Sequence, residues 1–181
     1  MKPVAYDDLE ILLDAETLAR RVRELAAQIS ADYRRQPLRL VGILKGAWVF
    51  LADLVRQLTF EVTVDFISIE SYGNNSAASG AVKITKDLDR SIEGLDVLVV
   101  EDILDTGRTF HYLQGVLAAH GPRSLKLVAL LDKRSRRVIP VQPDYVGFEI
   151  PDVFVVGYGL DFDQKFRHLP DVRYLPKPPS H

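Results

Sequence analysis

The sequence predicts an α/β fold, with a mainly parallel central sheet flanked by helices. Continuous apolar runs recur along the chain, as in Val-Leu-Val-Val at residues 97–100, and they are typical of strands buried on both faces. Segments with helical apolar spacing separate several of these runs. The resulting order, strand–helix–strand–strand–strand–helix–strand, indicates parallel strands joined by crossover helices.

Three helices are predicted from apolar residues spaced three and four apart. Residues 14–29 form the first, and their acidic first turn suits the positive end of the helix dipole. Residues 47–58 form the second helix. Residues 110–120 form the third, which Gly121 and Pro122 end.

The predicted strands are short apolar or alternating segments. They comprise residues 38–44, 61–69, 81–85, 96–100, 125–131, 145–150 and 153–158. Residues 74–81, Asn-Asn-Ser-Ala-Ala-Ser-Gly-Ala, contain no side chain large enough to anchor them, so we expect a mobile loop there.

The composition indicates one globular domain and excludes several functional classes. Of 181 residues, 47% are hydrophobic and 27% charged, which argues against disorder. The formal net charge of −2 makes the chain acidic overall, so we expect no nucleic-acid partner. The longest apolar run, residues 47–52, is too short to span a membrane. The chain has no cysteine, which excludes disulfides and fits the cytoplasmic location that we expect.

The most informative segment is residues 97–110, where a buried strand leads through two acids and a short loop into a helix. Asp105, Thr106, Gly107 and Thr109 supply the glycine and small hydroxyl residues of an anion-binding nest at a helix start. A bare Asp-Thr-Gly could simply cap a helix. The complete pattern favours a phosphate loop, although it matches neither the P-loop nor the dinucleotide fingerprint.

The two acids in this segment, Glu101 and Asp102, have the chemistry to hold a divalent cation or to bind a sugar diol. Strand alternation would send their side chains to opposite faces, so we expect both to serve one ligand only if the strand ends there. Ligands of open α/β sheets bind beyond the carboxyl ends of the strands. Further candidates at such ends are Lys45-Gly46, Ser71-Tyr72, Asp132-Lys133 and residues 159–161.

These segments resemble the phosphoribosyltransferases, enzymes that use 5-phosphoribosyl 1-pyrophosphate (PRPP). Residues 99–109 resemble the PRPP-binding signature of the superfamily. Other segments resemble its bacterial 6-oxopurine branch, the hypoxanthine-guanine phosphoribosyltransferases: residues 44–46, 71–73, 131–134, 144–152, 154–161 and 166–167. The resemblance extends from about residue 7 to residue 175.

The resemblance implies a single phosphoribosyltransferase domain of the type I fold over residues 1–181. Its core would span about residues 14–150, and a small hood over the purine would come from about residues 1–13 and 151–181. The implied reaction transfers the phosphoribosyl group of PRPP to hypoxanthine or guanine, giving IMP or GMP and pyrophosphate. Mg²⁺ as cofactor and a homodimer or homotetramer are also implied.

The resemblance assigns most of the conspicuous residues to PRPP. The residues implied to bind its 5′-phosphate and ribose are Glu101, Asp102, Asp105, Thr106, Gly107, Arg108 and Thr109. Glu101 and Asp102 would hold the ribose hydroxyls directly or through metal-bound water, and Asp161 would coordinate a second Mg²⁺. Lys45 and Gly46 would bind pyrophosphate through their backbone, with a cis peptide bond between them, and Arg167 would bind it through its guanidinium.

The remaining assignments concern the purine. Asp105 would act as general base for the proton on N7. Lys133 can only donate hydrogen bonds, so it would favour a 6-oxo group over a 6-amino group. Phe154 would stack on the ring, and Val155 would read the base through its backbone. The segment Ser71-Tyr72 would lie on a lid that excludes water from the reaction.

Two other functions stay open at this point. One is a xanthine-preferring phosphoribosyltransferase with the same mechanism. The other is a PRPP-sensing regulator that binds nucleic acid and would need a basic patch. Arg134, Arg136 and Arg137 form the clearest basic cluster, which we interpret as a solvated loop beside the purine pocket. Asp105, which such a regulator could lose, is present.

Overall fold

The structure is a computed structural model and describes residues 5–33, 36–71 and 82–176. Its helices and strands, numbered along the chain, are β1 Glu10–Leu13, α1 Ala15–Tyr33, β2 Leu38–Leu44, α2 Trp48–Val55, β3 Val62–Ser71, β4 Val82–Lys86, β5 Asp96–Leu104, α3 Arg108–Ala119, β6 Ser124–Asp132, β7 Tyr145–Glu149, β8 Val155–Val156 and β9 Val172–Tyr174. Two short 3-10 turns, Tyr6–Asp8 and Arg134–Arg136, complete the regular structure of these ranges.

Six strands form the central sheet, in the order β4-β3-β2-β5-β6-β7. Every neighbouring pair is parallel except β3 and β4, which are antiparallel. The carboxyl ends of β2, β5 and β6 therefore meet at one edge of the sheet. This arrangement confirms the predicted α/β fold with a mainly parallel sheet.

Helices cover both faces of the central sheet because its strands are apolar on both sides. On one face α1 and α2 bury Leu25 and Phe50 against Val100. On the other face α3 buries Phe110 and Leu113. In the part of the chain that the structure describes, no helix has the length and apolar composition needed to cross a membrane.

A second, three-stranded sheet joins the two ends of the described chain, in the order β1-β9-β8 with antiparallel pairing. It has its own small apolar cluster, which includes Leu9, Val156 and Phe166. These strands come from the segments that the sequence analysis assigns to a hood. That this sheet covers the purine stays a prediction.

The element boundaries differ from the predicted ones in ways that have physical causes. Helix α1 continues four residues past residue 29 because Tyr33 packs into the core. Helix α2 ends at Val55, after which the backbone N–H of Leu58 bonds back only three residues. Strands β1 and β9 were not predicted, since each is short and pairs with the opposite end of the chain. The predicted mobile loop lies outside the described residues.

Candidate active site

A cleft of about 350 Å³ opens at the carboxyl ends of the parallel strands, where β2, β5 and β6 face the second sheet. Its lining includes nine of the predicted site residues: Lys45, Gly46, Asp102, Asp105, Lys133, Phe154, Val155, Asp161 and Arg167. Ile103 and Leu160 also line it; both lie in segments that the sequence analysis singled out, but as ordinary apolar residues they were given no role. The cleft therefore joins the predicted pyrophosphate and purine residues with Asp102 and Asp161 of the predicted metal residues. Its lining does not include Glu101 or residues 106–109.

The loop between β5 and α3 has the backbone of an anion-binding nest. Gly107 is the N-cap of α3, with φ of +82°, a conformation that favours glycine. The carbonyl of Thr106 accepts hydrogen bonds from the N–H groups of Val138 and Ile139, at 3.0 and 3.1 Å. The segment at residues 138–139 thus holds one side of this loop. The geometry of the loop is therefore set before any ligand binds. Arg108 and Thr109 follow in the first turn of the helix.

The turn after β2 passes close to β5 and to the second sheet. A Cβ atom at Gly46 would overlap the Oδ2 atom of Asp102, and one at Gly159 would overlap the carbonyl oxygen of Gly46. Only glycine fits at either position without a shift of its neighbours. The cis peptide bond implied between Lys45 and Gly46 is wrong by one residue, since the structure places it between Leu44 and Lys45.

Glu101 and Asp102 lie within β5, which continues to Leu104. The expected end of the strand at these acids is therefore wrong. Instead, the alternation of the strand changes phase there: Val99 packs in the α3-side cluster, but Ile103 packs in the α1-side cluster, where strict alternation would not place it. An irregularity at the two acids thus replaces the expected strand end.

The electrostatics of the two acids favour a bound cation. Burial raises the pKa of Glu101 well above its ordinary value, and the charge of Asp102 raises it further. Burial also raises the pKa of Asp102, against the opposing effect of its backbone hydrogen bonds and of Arg167. Within the described ranges, the buried Oε2 atom of Glu101 has no hydrogen-bond partner. A cation would compensate both carboxylates.

These residues fit Mg²⁺ in the manner that is usual for substrate-bound magnesium. Mg²⁺ typically binds one or two carboxylates and completes its shell with water and substrate phosphates. In keeping with this, no three His, Asp or Glu side chains within the described ranges are placed so that they could bind one metal ion by themselves. Glu101 and Asp102 supply one acidic pair, and Asp161 lines the same cleft from the other side.

Arg167 is held in place at the cleft by its neighbours. Its Nη2 atom lies 2.6 Å from Oδ1 of Asp161, and its Nη1 atom donates to the carbonyl of Gly159 at 2.7 Å. Gln164, which sequence reasoning missed, accepts a hydrogen bond from Nζ of Lys45 at 3.3 Å. The backbone N–H of Gln164 in turn donates to Asp161 at 2.8 Å. The side chains of Lys45 and Arg167 thus face the cleft in a fixed arrangement.

The purine residues lie at the end of the cleft beside the second sheet. Lys133 is buried, and its Nζ atom lies 3.9 Å from Oδ1 of Asp152. The Phe154 ring is 40% exposed and forms a T-shaped pair with Phe162, with 5.6 Å between the ring centroids. Val155 is buried in β8 and pairs with Tyr174 of β9. A flat heterocycle could stack here while a buried donor reads one of its edges.

The carboxylate of Asp105 has a basic neighbour that the sequence analysis did not assign to it. Nε of Arg136 lies 3.0 Å from Oδ1 of Asp105, at an angle that leaves this oxygen without a hydrogen bond. The charges of Asp105 and Asp152 raise the pKa of Arg136. Arg137 donates to the backbone carbonyl of Asp105 at 2.8 Å and pairs with the buried carboxylate of Asp132.

The interpretation of the arginine cluster as a solvated loop agrees with the exposure of Arg134 and Arg136 but is wrong for Arg137, which is largely buried. Both Arg136 and Arg137 contact Asp105 of the phosphate loop. The run Arg-Ser-Arg-Arg was visible in the sequence, but nothing in it indicated which carboxylates would lie opposite. The predicted lid is outside this description: Ser71 ends β3, and Tyr72 lies beyond the described residues.

Three comparisons relate the chain to known proteins. Residues 8–163 match the family described as phosphoribosyl transferase domain. The hypoxanthine-guanine phosphoribosyltransferase of Aquifex aeolicus is 47% identical over 173 residues, which cover 95% of this chain and 97% of that protein.

Solved structures agree with this relationship. A crystal structure of a hypoxanthine phosphoribosyltransferase from Staphylococcus aureus is 43% identical, with a TM-score of 0.90 over 97% of this chain and 96% of that one. The Trypanosoma cruzi hypoxanthine phosphoribosyltransferase, solved in work on its C-terminal region, oligomeric state and activity, is 42% identical, with a TM-score of 0.89 over 96% and 94%. The chain therefore belongs to the phosphoribosyltransferase family, within its hypoxanthine-guanine branch.

Proposed function

We propose that this protein is a purine-salvage enzyme, which transfers the phosphoribosyl group of PRPP to hypoxanthine or guanine and releases IMP or GMP and pyrophosphate. The observation that carries the proposal is the shared cleft. Asp105 of the phosphate loop and Lys133, a buried donor, line the same 350 Å³ space as the exposed ring of Phe154. A phosphate site and a 6-oxopurine site next to each other are what this transfer requires.

Asp105 is the general base of the proposed reaction. A purine ring nitrogen forms a bond to C1 of PRPP while the bond from C1 to pyrophosphate breaks. The ring then becomes more acidic, and the N7 proton passes to the Asp105 carboxylate. Positive charge on the sugar and negative charge on the leaving group both grow during this step.

Lys45, Gly46 and Arg167 bind the leaving pyrophosphate. The guanidinium of Arg167 is already oriented by Asp161 and Gly159, so little reorganisation is needed when the negative charge develops. The close approach of Gly46 to Asp102 brings this turn next to the acids expected at the ribose. Thr106, Gly107, Arg108 and Thr109 hold the opposite end of PRPP, its 5′-phosphate.

Lys133 selects the base. Its ammonium group can only donate, so it pairs with a 6-oxo group and leaves a 6-amino group unpaired. A buried donor without a partner is unfavourable, which makes the discrimination strong. Phe154 supplies the stacking surface, and the backbone of Val155 reads the remaining edge.

Mg²⁺ belongs to the proposal as well, since phosphoribosyltransferases of this family generally use it with PRPP. Glu101, Asp102 and Asp161 would hold it, and the raised pKa values of the adjacent acids Glu101 and Asp102 fit that role. When bound, Mg²⁺ acts as a Lewis acid and template on the pyrophosphate.

We further propose a homodimer or homotetramer in the cytoplasm, with Ser71-Tyr72 in a lid. An exposed tryptophan supports the assembly, because Trp48 is 48% exposed beside the pyrophosphate turn and would gain from burial. Light scattering on the purified protein tests it, and a monomer at micromolar concentration would contradict it.

A nucleic-acid partner is not supported, since Arg134, Arg136 and Arg137 are all paired with carboxylates.

The test of the reaction is an ultraviolet assay with PRPP and Mg²⁺ that offers hypoxanthine, guanine, xanthine, adenine and orotate in parallel. We expect turnover of hypoxanthine and guanine. Preference for xanthine would keep the mechanism and change the substrate. If no base is turned over although PRPP still binds, the result would contradict the proposal and favour a PRPP-sensing regulator.

Two variants test the residue roles in the same assay. Asp105→Ala should lower turnover by about 10²–10⁴-fold without loss of fold, because it removes the general base. Lys133→Ala should weaken 6-oxopurine use more than PRPP binding. Unchanged turnover in the Asp105 variant would remove this residue as the base.

A further inference from the structure

Asp152 and Arg136 together connect Lys133 and Asp105, the two residues that are expected to contact O6 and the N7 proton of the purine. Its Oδ1 atom lies 3.9 Å from Nζ of Lys133, and its Oδ2 atom lies 3.5 Å from Nη1 of Arg136. Arg136 in turn places Nε 3.0 Å from Oδ1 of Asp105. Charges of alternating sign thus run from Lys133 through Asp152 and Arg136 to Asp105. We call these four side chains the ionic bridge.

The two ends of the ionic bridge match one edge of a 6-oxopurine. O6 and N7 are neighbours on the same edge of the ring. Lys133 presents a donor to O6, and Asp105 presents an acceptor to the N7 proton. For both contacts to form at once, the two side chains must keep a fixed spacing, although they come from the ends of different strands.

We propose that Asp152 and Arg136 are positioning residues that hold Lys133 and Asp105 at the spacing of O6 and N7, so that base recognition and proton removal depend on each other. The inference rests on the proposed function, because it takes over the roles of Lys133 and Asp105. Neither Asp152 nor Arg136 needs to contact the purine.

The environment of Asp105 supports this role. In the described part of the chain, Arg136 is the single side chain that forms an ion pair with the Asp105 carboxylate, while Arg137 donates to its backbone carbonyl. Without Arg136 the backbone of the loop stays braced, but the carboxylate loses the partner that orients it. The expected defect is therefore in the direction of one side chain and not in the fold.

Arg134 provides a matched control on the same 3-10 turn. It is exposed like Arg136 and carries the same charge, but it pairs with Asp132 and Glu149 and has no contact with Asp105. Arg134→Ala removes one cation from the same surface and leaves Asp132 paired with Arg137. Differences between the two alanine variants then report the ionic bridge and not the local charge.

The experiment measures kcat and KM for hypoxanthine and for PRPP, with thermal melting of each variant. We expect Arg136→Ala and Asp152→Asn each to lower kcat/KM for hypoxanthine by about tenfold or more, with KM for PRPP unchanged. The double variant should be no worse than either single one, since both break the same bridge. Arg134→Ala should behave as wild type, and Arg136→Lys, which keeps the charge but loses the two-sided fork, should lie between.

Each outcome decides the question. Activity of Arg136→Ala equal to that of Arg134→Ala, or fully additive effects of Arg136→Ala and Asp152→Asn, would overturn the ionic bridge while the proposed function stands. A wild-type protein that turns over none of the bases would overturn the proposed function and the bridge together. If Arg136→Ala lowers Tm, the same comparison of kcat/KM for hypoxanthine is made with Arg136→Lys and Asp152→Asn.

Discussion

Gly107 allows a test of the phosphate loop in which backbone strain and crowding can be separated. Gly107→Ala introduces a Cβ at φ of +82°, 2.8 Å from the carbonyl oxygen of Ile139. The left-handed conformation costs an alanine about 1–2 kcal/mol. Crowding against a backbone atom adds about 1–3 kcal/mol, because the carbonyl cannot rotate away as a flexible side chain would.

Two other glycines isolate these contributions. Gly94 has φ of +69° but no atom within 4 Å of an added Cβ, so Gly94→Ala carries the strain without the crowding. Gly115 lies within α3 with the same open space and an ordinary φ, so Gly115→Ala carries neither and should stabilise the helix by about 0.5–1 kcal/mol. The expected order of stability is Gly115→Ala, wild type, Gly94→Ala, Gly107→Ala.

The measurements are thermal melting and steady-state kinetics. For a chain of this length each kcal/mol shifts Tm by about 2–4 °C, so Gly107→Ala should melt about 10 °C below wild type. Because the same loop holds the 5′-phosphate, its KM for PRPP should rise about tenfold or more, whereas Gly94→Ala should leave KM unchanged. Equal melting of the Gly94 and Gly107 variants, with an unaltered KM for PRPP in both, would refute the proposed geometry of the loop.

Three further predictions concern the cleft. Phe154→Ala should raise KM for hypoxanthine about tenfold, since stacking on a base contributes about 1–3 kcal/mol, and a KM within twofold of wild type would exclude stacking. EDTA should abolish turnover and excess MgCl₂ should restore it; activity that persists in EDTA would contradict the metal role of Glu101 and Asp102. Asp132→Ala leaves the guanidinium of Arg137 without its buried partner and should lower the free energy of unfolding by about 3 kcal/mol in urea titrations. An unchanged free energy of unfolding would contradict this pair.

The central sheet could be predicted because its signal is local. The run at residues 97–100 is apolar at every position, and β2 was predicted with the boundaries that the structure has. The second sheet could be predicted only at β8, which lies within the longer predicted strand at residues 153–158. Each strand of this sheet has two to four residues, β1 and β9 lie more than a hundred residues apart, and residues 157–171 separate β8 from β9, so periodicity carries no information about their pairing.

The residues of the candidate site could likewise be predicted where their signal is local in the sequence. Asp105, Lys133 and Phe154 belong to motifs that are continuous in the sequence, and the cleft contains all three. Arg136 and Asp152 were not assigned, because their role depends on which charges the fold brings next to them. The sequence shows which side chains are charged, but only the fold shows which opposite charges lie next to each other.

The pairing of β1 with β9 has a consequence for the order in which the protein is made. Glu10 is synthesised 164 residues before its partner Tyr174. A nascent chain can assemble the phosphate loop on β5 and α3 while the strand that supports Val155 does not yet exist. The phosphate loop can therefore form before the sheet that supports Val155, because that sheet closes only after Val172–Tyr174 have been synthesised.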